Sequence, residues 1–497
     1  MTAPHLDDVR PPHLDQVRPP HLDDIRPAHL SGMRLTAARR AAGRDPRIAR
    51  LTRRVLSPWC GLSQSMGFIL RGTDEPRFII SGAQLTGVHV LLGRARANTY
   101  HIGGVGVFRD EAVIRSIGET IERYGQLVAP VSGRYETRFT SYRQLRAAGE
   151  TALPTPDTPS FSAEQYADEH FPYRPLDADA PLTWVRCPTL ADATDDGGTG
   201  DGGDGDGGTV WVPAQLLFIG YQLRVKDGEP WLSSAITTGS AAHTDPARAL
   251  RSALLEMIQL DGAMGHWYSG STAPRIVLDD RTRALESVLD SHVGHGPYTP
   301  DFHWIPVPGF DVRAVACVMR GNRDAGLGSA VGLGIDTRLD VAMYKALLEA
   351  SATVQLAKML AISPELVVGA VQDVSDDPAR MLDLDSNVAH YADPSHQDPI
   401  DRRFPRDVSV PARELPPDDT GPVDGQITGL LDQFRAAGIR LAVADCTTPD
   451  IADLGFVVTR VWSPDLLLLC LPSAPPTRHP RFASYGGARY ADPHPYA

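Results

Sequence analysis

At three places along this 497-residue chain a glycine-containing segment runs into an alanine that is followed seven residues later by a glutamate. The pairs are Ala112 and Glu119 after GGVG, Ala249 and Glu256 after TGSAAH, and Ala342 and Glu349 after GLG. In the first copy Ala112, Val113, Ile117 and Ile121 recur at helical spacing, which predicts a helix leaving a glycine-rich turn. The sequence thus predicts three related turn-helix units, the third a single long helix from Leu339 to Leu360.

On the first helix Glu119 and Glu122 stand three residues apart and Arg115 lies four before Glu119, so all three are expected on one face. Taken alone, E-x-x-E-R is most often a solvated ion-pair face, but its recurrence favours a shared ligand site. Three residues beyond the repeated glutamates stand Glu122, Gln259 and Ala352, so the second ligand position passes from acid to amide to methyl.

Composition narrows the partners. A net charge of −13 argues against a nucleic-acid backbone, whose binders concentrate positive charge. No run of about 18 apolar residues appears, and the N-terminus has no apolar core behind its basic residues. The reading is a cytoplasmic chain that engages neither nucleic acid nor membrane. Cys60, Cys187, Cys317, Cys446 and Cys470 are scattered without zinc spacing. Lys occurs only at 226, 345 and 358, and none follows a Walker-type glycine loop. Nucleotide phosphates would therefore fall to arginines and carboxylate-bound magnesium.

Residues 1–34 repeat PHLDDVRP-like octapeptides in which His5, His13, His21 and His29 recur. Paired prolines and flanking charges favour an extended, disordered tail over a metal site. A basic helix is expected from Thr36 to Leu56, then strand-like GFILRG, RFII and GVHVLLG. DDGGTGDGGDGDGG, residues 195–208, reads as a flexible insertion. The second helix closes with DGAMGHWY, and Pro274 to Arg320 alternates short strands and helices. The Asp- and Pro-rich stretch from Pro364 to Pro422, with His390 and His396, is expected to be irregular surface. A helix from Ile427 to Ala437 and strands IRLAVADC and GFVVTRVW follow, and 479–497 form a Pro-rich C-terminal tail.

Several islands together resemble the YcaO family, more narrowly its SagD-like branch that makes thiazole and oxazole rings in ribosomally made peptides. The first is Gly104 to Arg123, similar to G-x-G, then A-x-x-x-x-x-x-E-x-x-E-R. In the second, Gly239, Ala241, Ala249, Glu256, Asp261 and Trp267 match. The third is ADCTTPDIADLGFVVTRVWSPDL, and the fourth is the terminus, similar to P-x-P-x-P. The islands cover about residues 50–497, which makes 35–497 one YcaO-like domain.

The resemblance implies an α/β fold of mixed or antiparallel sheets flanked by the three helices, whose glutamates converge on ATP and Mg2+. It implies catalytic roles for Glu119, Glu122, Arg123 and Glu256, and metal ligation by Glu119, Glu122, Glu256 and Gln259. Arg115, Arg248, Gln259 and Glu349 would contact nucleotide, and Pro493, Pro495 and Ala497 would form the functional tail. The implied reaction phosphorylates a backbone amide oxygen of a precursor peptide so that a Cys, Ser or Thr side chain closes an azoline. An E1-like leader-peptide-binding protein is the implied partner, with room for a second YcaO protein, a dehydrogenase or a homodimer. The chain departs from the family where Arg115, Thr238 and Arg248 stand for Ser, Asn and an acid. Gln259-Leu260 replaces Glu-Arg, Ala352 and Val354 replace Gln and Arg, and Ala497 ends the tail in place of proline. These departures keep two rivals open: a non-catalytic scaffold subunit, and backbone thioamidation.

Overall fold

The computed structural model describes residues 45–57, 60–72, 75–93, 102–191, 208–294, 296–322, 326–362, 381 and 383–497. The octapeptide repeats of 1–34 and all of the Asp/Gly insertion except Gly208 lie outside them. So does the first part of the expected basic helix, which is described as α1, Pro46–Val55, capped by the Asp45 side chain.

Three sheets carry the chain. The first holds β1 (Ser63–Phe68), β2 (Ile79–Leu85) and β3 (Ile102–Gly106) in that order. The second holds β4 (Thr137–Ser141), β5 (Pro181–Ala191), β13 (Leu441–Asp445), β14 (Val457–Trp462) and β7 (Ser240–His243), with β6 (Thr209–Pro213) on β5. The third runs β11 (Ser329–Asp336), β10 (Arg313–Gly321), β9 (Tyr298–Ile305), β8 (Arg275–Val277) and β12 (Ser409–Pro411). All pairings are antiparallel except β8 with β12. The expected α/β class with mixed and antiparallel sheets holds.

The repeated units are strand-helix units. β3, β7 and β11 each end one sheet, and two residues later each gives way to a long helix: α2 (Arg109–Val128), α3 (Pro246–Ser269) and α4 (Leu339–Ile362). The glycines expected in turns before the first and third helices lie inside strands, because there the helix presses on the strand backbone. A Cβ on Gly104 would come within 2.0 Å of the Ala112 carbonyl oxygen, and one on Gly334 within 2.1 Å of that of Ala342. The recurring alanines Ala112, Ala249 and Ala342 are fully buried. In the second unit Gly239, just before its strand, takes φ +84; Asp245 and Pro246 start its helix and left-handed Gly270 ends it.

The units close on one another. α2 packs on its own β3 and on β7 of the next unit, α3 on β7 and β11, and α4 on β11 and back on β3. The main cores follow that plan. Ile117 and Ile121 of α2 join Val185, Val212 and Val458 of the second sheet. Ile258 and Leu260 of α3 join Ala316, Val331 and Leu333 of the third, and Leu339 and Met343 of α4 join Val105 of the first and Phe78 just ahead of β2. The result is a ring of alternating sheets and helices with three seams.

Three expectations change. β1 takes in only Gly67 and Phe68 of GFILRG. GVHVLLG yields a four-residue helix, Val88–Leu91, in place of a strand. The stretch expected to be irregular surface contains α5 (Asp385–Ala392) and α6 (Asp398–Arg403), with Asn387, Tyr391, Ile400, Arg403 and Phe404 buried. Its helices are too short to show a period, and its buried polar groups find partners far along the chain. α7 (Val423–Ala436), β13 and β14 match expectation.

Candidate active site

Glu119, Glu256 and Glu349 each fall ten residues beyond the first residue of their helices, so the ring brings them to equivalent places. Each is fixed by the backbone near its own strand. Glu119 Oε2 accepts from Gly103 N at 2.8 Å, and Glu256 and Glu349 accept from the backbone at Gly239 and Leu333. Glu349 is exposed, but close enough to Glu119 for the two to repel.

The first seam, between α2 and β7, holds most of the charge. Glu122 accepts from Ser240 Oγ, and Arg123 donates to Thr237 Oγ1 and, at 3.2 Å, to Glu119 Oε1. Beneath them Arg460 of β14 is wholly buried, donating to the carbonyl of Thr238 and, at 2.8 Å, to that of Ile236. Glu122 and Glu256 keep a partial opening to solvent, yet protein crowds them. Burial, with the neighbouring carboxylates added, pushes Glu122 up to about 7 and Glu256 well above its usual range, while Arg123 and Arg460 pull both back. Burial lowers Arg460 to about 10 despite Glu256. Burial also works against charge on Arg123, but Glu119, Glu122 and Glu256 outweigh it.

Other expected residues lie elsewhere. Arg115 turns to Glu111 at 3.1 Å, away from Glu119. Glu111, fully buried, also accepts from Tyr344 Oη and from Val107 N, each at 3.0 Å. Arg248 leans to Asp245 at 3.6 Å. Gln259 is half-buried on α3 beside Leu260, which sits in the core. Pro493 and Pro495 are buried and Ala497 is exposed.

The tail is strapped to the far end of α3 by family-matching residues. Asp261 accepts from Arg481 at 2.7 Å and Tyr485 at 2.8 Å, and Trp267 Nε1 donates to the Asp492 carbonyl at 2.9 Å. Arg403 lies between Trp267 and Tyr490, 4.5 and 4.4 Å from their ring centres, and donates to Asp492 at 2.7 Å. Tyr391 Oη holds the Pro493 carbonyl at 2.6 Å.

Sequence reasoning gave no role to Arg460, Ser240 or Thr237. Arg460 is the arginine of the ADCTTPDIADLGFVVTRVWSPDL island, a signal that was present. Ser240 and Thr237 depend on a contact between units, which local spacing does not encode.

The seam suits a phosphate-bearing ligand with a cation. Thr238 Oγ1 and Arg460 Nε are buried there without a hydrogen-bond partner and can donate to phosphate oxygens. Glu122 and Glu256 repel one another, which a cation relieves. Among the described residues no three His, Cys, Asp or Glu groups stand together as a complete metal site. Mg2+ does not need one, since it is commonly held by one or two carboxylates plus substrate phosphates.

A ring of strand-helix units with acids and guanidiniums gathered at one seam defines a protein that handles a small, highly charged ligand. A family model described as YcaO cyclodehydratase, ATP- and Mg2+-binding, matches residues 103–467, and the chain belongs to that family. Comparison with curated proteins gives no match. Among solved structures, a heterocyclase in complex with substrate and cofactor is 15% identical with a TM-score of 0.64, over 89% of this chain. The chain spans 55% of that heterocyclase. YcaO from Methanopyrus kandleri bound with AMPPCP and Mg2+ is 17% identical, TM-score 0.53, over 83% of this chain and 86% of its own. The E. coli microcin synthetase McbBCD complex contributes a chain 15% identical, TM-score 0.51, over 81% of this chain and 88% of its own. These likenesses show a shared fold. No helix among the described residues is long and apolar enough to cross a membrane.

Proposed function

We propose that the protein is an ATP-dependent cyclodehydratase of the SagD-like type, closing azolines at Cys, Ser or Thr of a ribosomally made precursor peptide. The observation that carries this reading is the first seam: Glu119, Glu122, Glu256, Arg123 and Arg460 converge beside two buried, unpartnered polar atoms. Glu122 and Glu256 would hold Mg2+ together with ATP phosphates, with Glu119 beside them. Bound ATP supplies the phosphoryl group that makes an amide oxygen a leaving group. Arg123 is held by Glu119 and Thr237 in one orientation, which suits it to meet developing phosphate charge without reorganising. Arg460 fixes the Ile236 to Thr238 backbone under that charge. Glu349, beside Glu119, is an outer nucleotide contact, and Pro493 to Ala497 brace α3 from its far end. Substrate delivery is assigned to a separate leader-peptide-binding protein.

Calorimetric titration with ATP and magnesium tests the reading. A dissociation constant at or below about 1 mM, roughly −4 kcal/mol, is expected. No heat at millimolar ATP with peptide and partner present overturns it. That outcome favours a non-catalytic subunit, the reading that Gln259 and Leu260 support.

A further inference from the structure

The chain enters the first seam along a stretch that belongs to no sheet. From Glu229 to Thr237 it makes neither helix, strand, turn nor bend, so it runs nearly straight. Its hydrogen bonds keep the two-residue period of an extended chain. The Pro230 carbonyl accepts from Gln215 Nε2 at 2.9 Å, and Leu232 N donates to Gln215 Oε1 at 2.8 Å. Farther on, the carbonyls of Ile236 and Thr238 both turn to Arg460. The even-numbered residues thus form one edge, held by protein at both ends.

The odd-numbered edge is held at its ends as well. The Trp231 carbonyl accepts from Arg174 N at 2.7 Å, and that of Thr237 from Ser240 N at 3.0 Å. Between these points, among the described residues, no group pairs with the backbone N–H or C=O of Ser233 or Ala235. Both residues are half-buried, and backbone groups in such places are ordinarily paired. The gap offers two donors and two acceptors along one edge, the pattern that an added strand completes. It also leads directly to the charged groups. Thr237 lies about 7 Å beyond Ala235 along an extended chain, and its hydroxyl takes the hydrogen bond from Arg123. At the outer end Trp231 is 38% exposed and stands edge-on to Tyr173, which gives the edge an apolar flank.

We infer that this edge binds the precursor peptide in extended form, as an added strand hydrogen-bonded to Ser233 and Ala235, with the amide to be activated about two residues farther on beside Arg123. The inference rests on the cyclodehydratase reading for what the peptide is. Pairing of this kind draws its affinity from main-chain hydrogen bonds, so it depends on the N–H groups of the peptide more than on its side chains.

The test uses the full chain with ATP and magnesium and a nine-residue synthetic peptide of alanine and serine around one central cysteine. Analogues are N-methylated at one backbone nitrogen at a time, the nitrogen of the cysteine excepted. Methylation at one or two positions on one side of the cysteine is expected to weaken competition binding about tenfold, as for one lost hydrogen bond. Exchanging alanine and serine at those positions should change it less than about twofold. In the protein, Ala235→Pro removes a donor that no described group uses and suits an extended chain. It should weaken the unmethylated peptide about tenfold and leave ATP affinity, read by calorimetry, and the thermal midpoint as they are. Equal binding of all methylated analogues, no peptide binding at millimolar concentration, or full peptide affinity in a folded Ala235→Pro protein overturns the inference. If that variant loses its fold, the methylation series on the native protein decides alone. Position-dependent binding without peptide-stimulated phosphate release leaves the strand site standing and removes the cyclodehydratase reading. Azoline formation that is indifferent to every methylation does the reverse.

Discussion

The first and second seams share one backbone plan and differ in almost every side chain. At the first, Glu122 and Arg123 face Ser240, Thr237 and Arg460. At the second, the corresponding places on α3 are Gln259 and Leu260, and those on β11 and β10 are Leu333, Ala330 and Ala316. Leu260, Ala316 and Leu333 belong to one core, so this seam has closed as ordinary apolar packing. The replacements come as a set, on both sides of the contact. A charge pair needs its partner strand to be polar, and once either side becomes apolar the other is better buried as hydrocarbon. The contrast therefore gathers the charged groups at the first seam and leaves the second as apolar packing.

Four measurements break or sharpen that contrast. The largest effect is expected from Arg460→Ala, which strands Glu122 and Glu256 over an empty space. It should cost about 3–5 kcal/mol in urea unfolding, whereas Ala316→Val at the matching place of the second seam should cost less than about 3 kcal/mol. Glu119→Gln or Glu122→Gln should lower peptide-dependent phosphate release on the order of a hundredfold, near 2.7 kcal/mol. Full turnover by the double variant would remove the first seam from catalysis.

The same Glu122→Gln change should stabilise the ligand-free protein at pH 8. Glu122 is raised to about 7 in the folded state from an ordinary 4.5. Folding therefore takes up a proton between those values, and stability falls as pH rises through them. Removing that carboxylate should recover about 1–2 kcal/mol at pH 8, after discounting for its partial exposure, and nothing at pH 4. Thermal melts at the two pH values check the sign. The smallest effect is expected from Gln259→Glu with Leu260→Arg, which should tighten ATP and magnesium a few-fold; weaker binding would mean the second seam no longer reaches the ligand.

Much of this was legible in the sequence because helices advertise themselves locally. The alanine and glutamate seven residues apart placed three helices correctly, and the third was expected within two residues of its end at Ile362. The glycines were read as turns because a strand that a helix must touch closely also needs glycine, and composition does not separate the two. Arg115 was expected to join Glu119, but Glu111 lies at the same helical spacing on its other side and is fixed by Tyr344 from α4, a partner more than two hundred residues away. The segment 385–404 misled for a similar reason. Its Asn387 and Arg403 look like surface residues until the C-terminal segment arrives to satisfy them, Asn387 donating to the Tyr496 carbonyl at 2.9 Å.

The ring has a consequence for how the molecule assembles. Its last seam joins α4 to β3, so the first unit emerges with one face of its sheet uncovered and stays so until the third helix has been made. Contacts of such sequence separation are slow to form, and they are worth little until the intervening chain has ordered. The glutamates of the first unit thus acquire their final setting late. A partly made chain has the first unit's acids without the frame that aims them, and nucleotide binding becomes a report on closure of the whole circle.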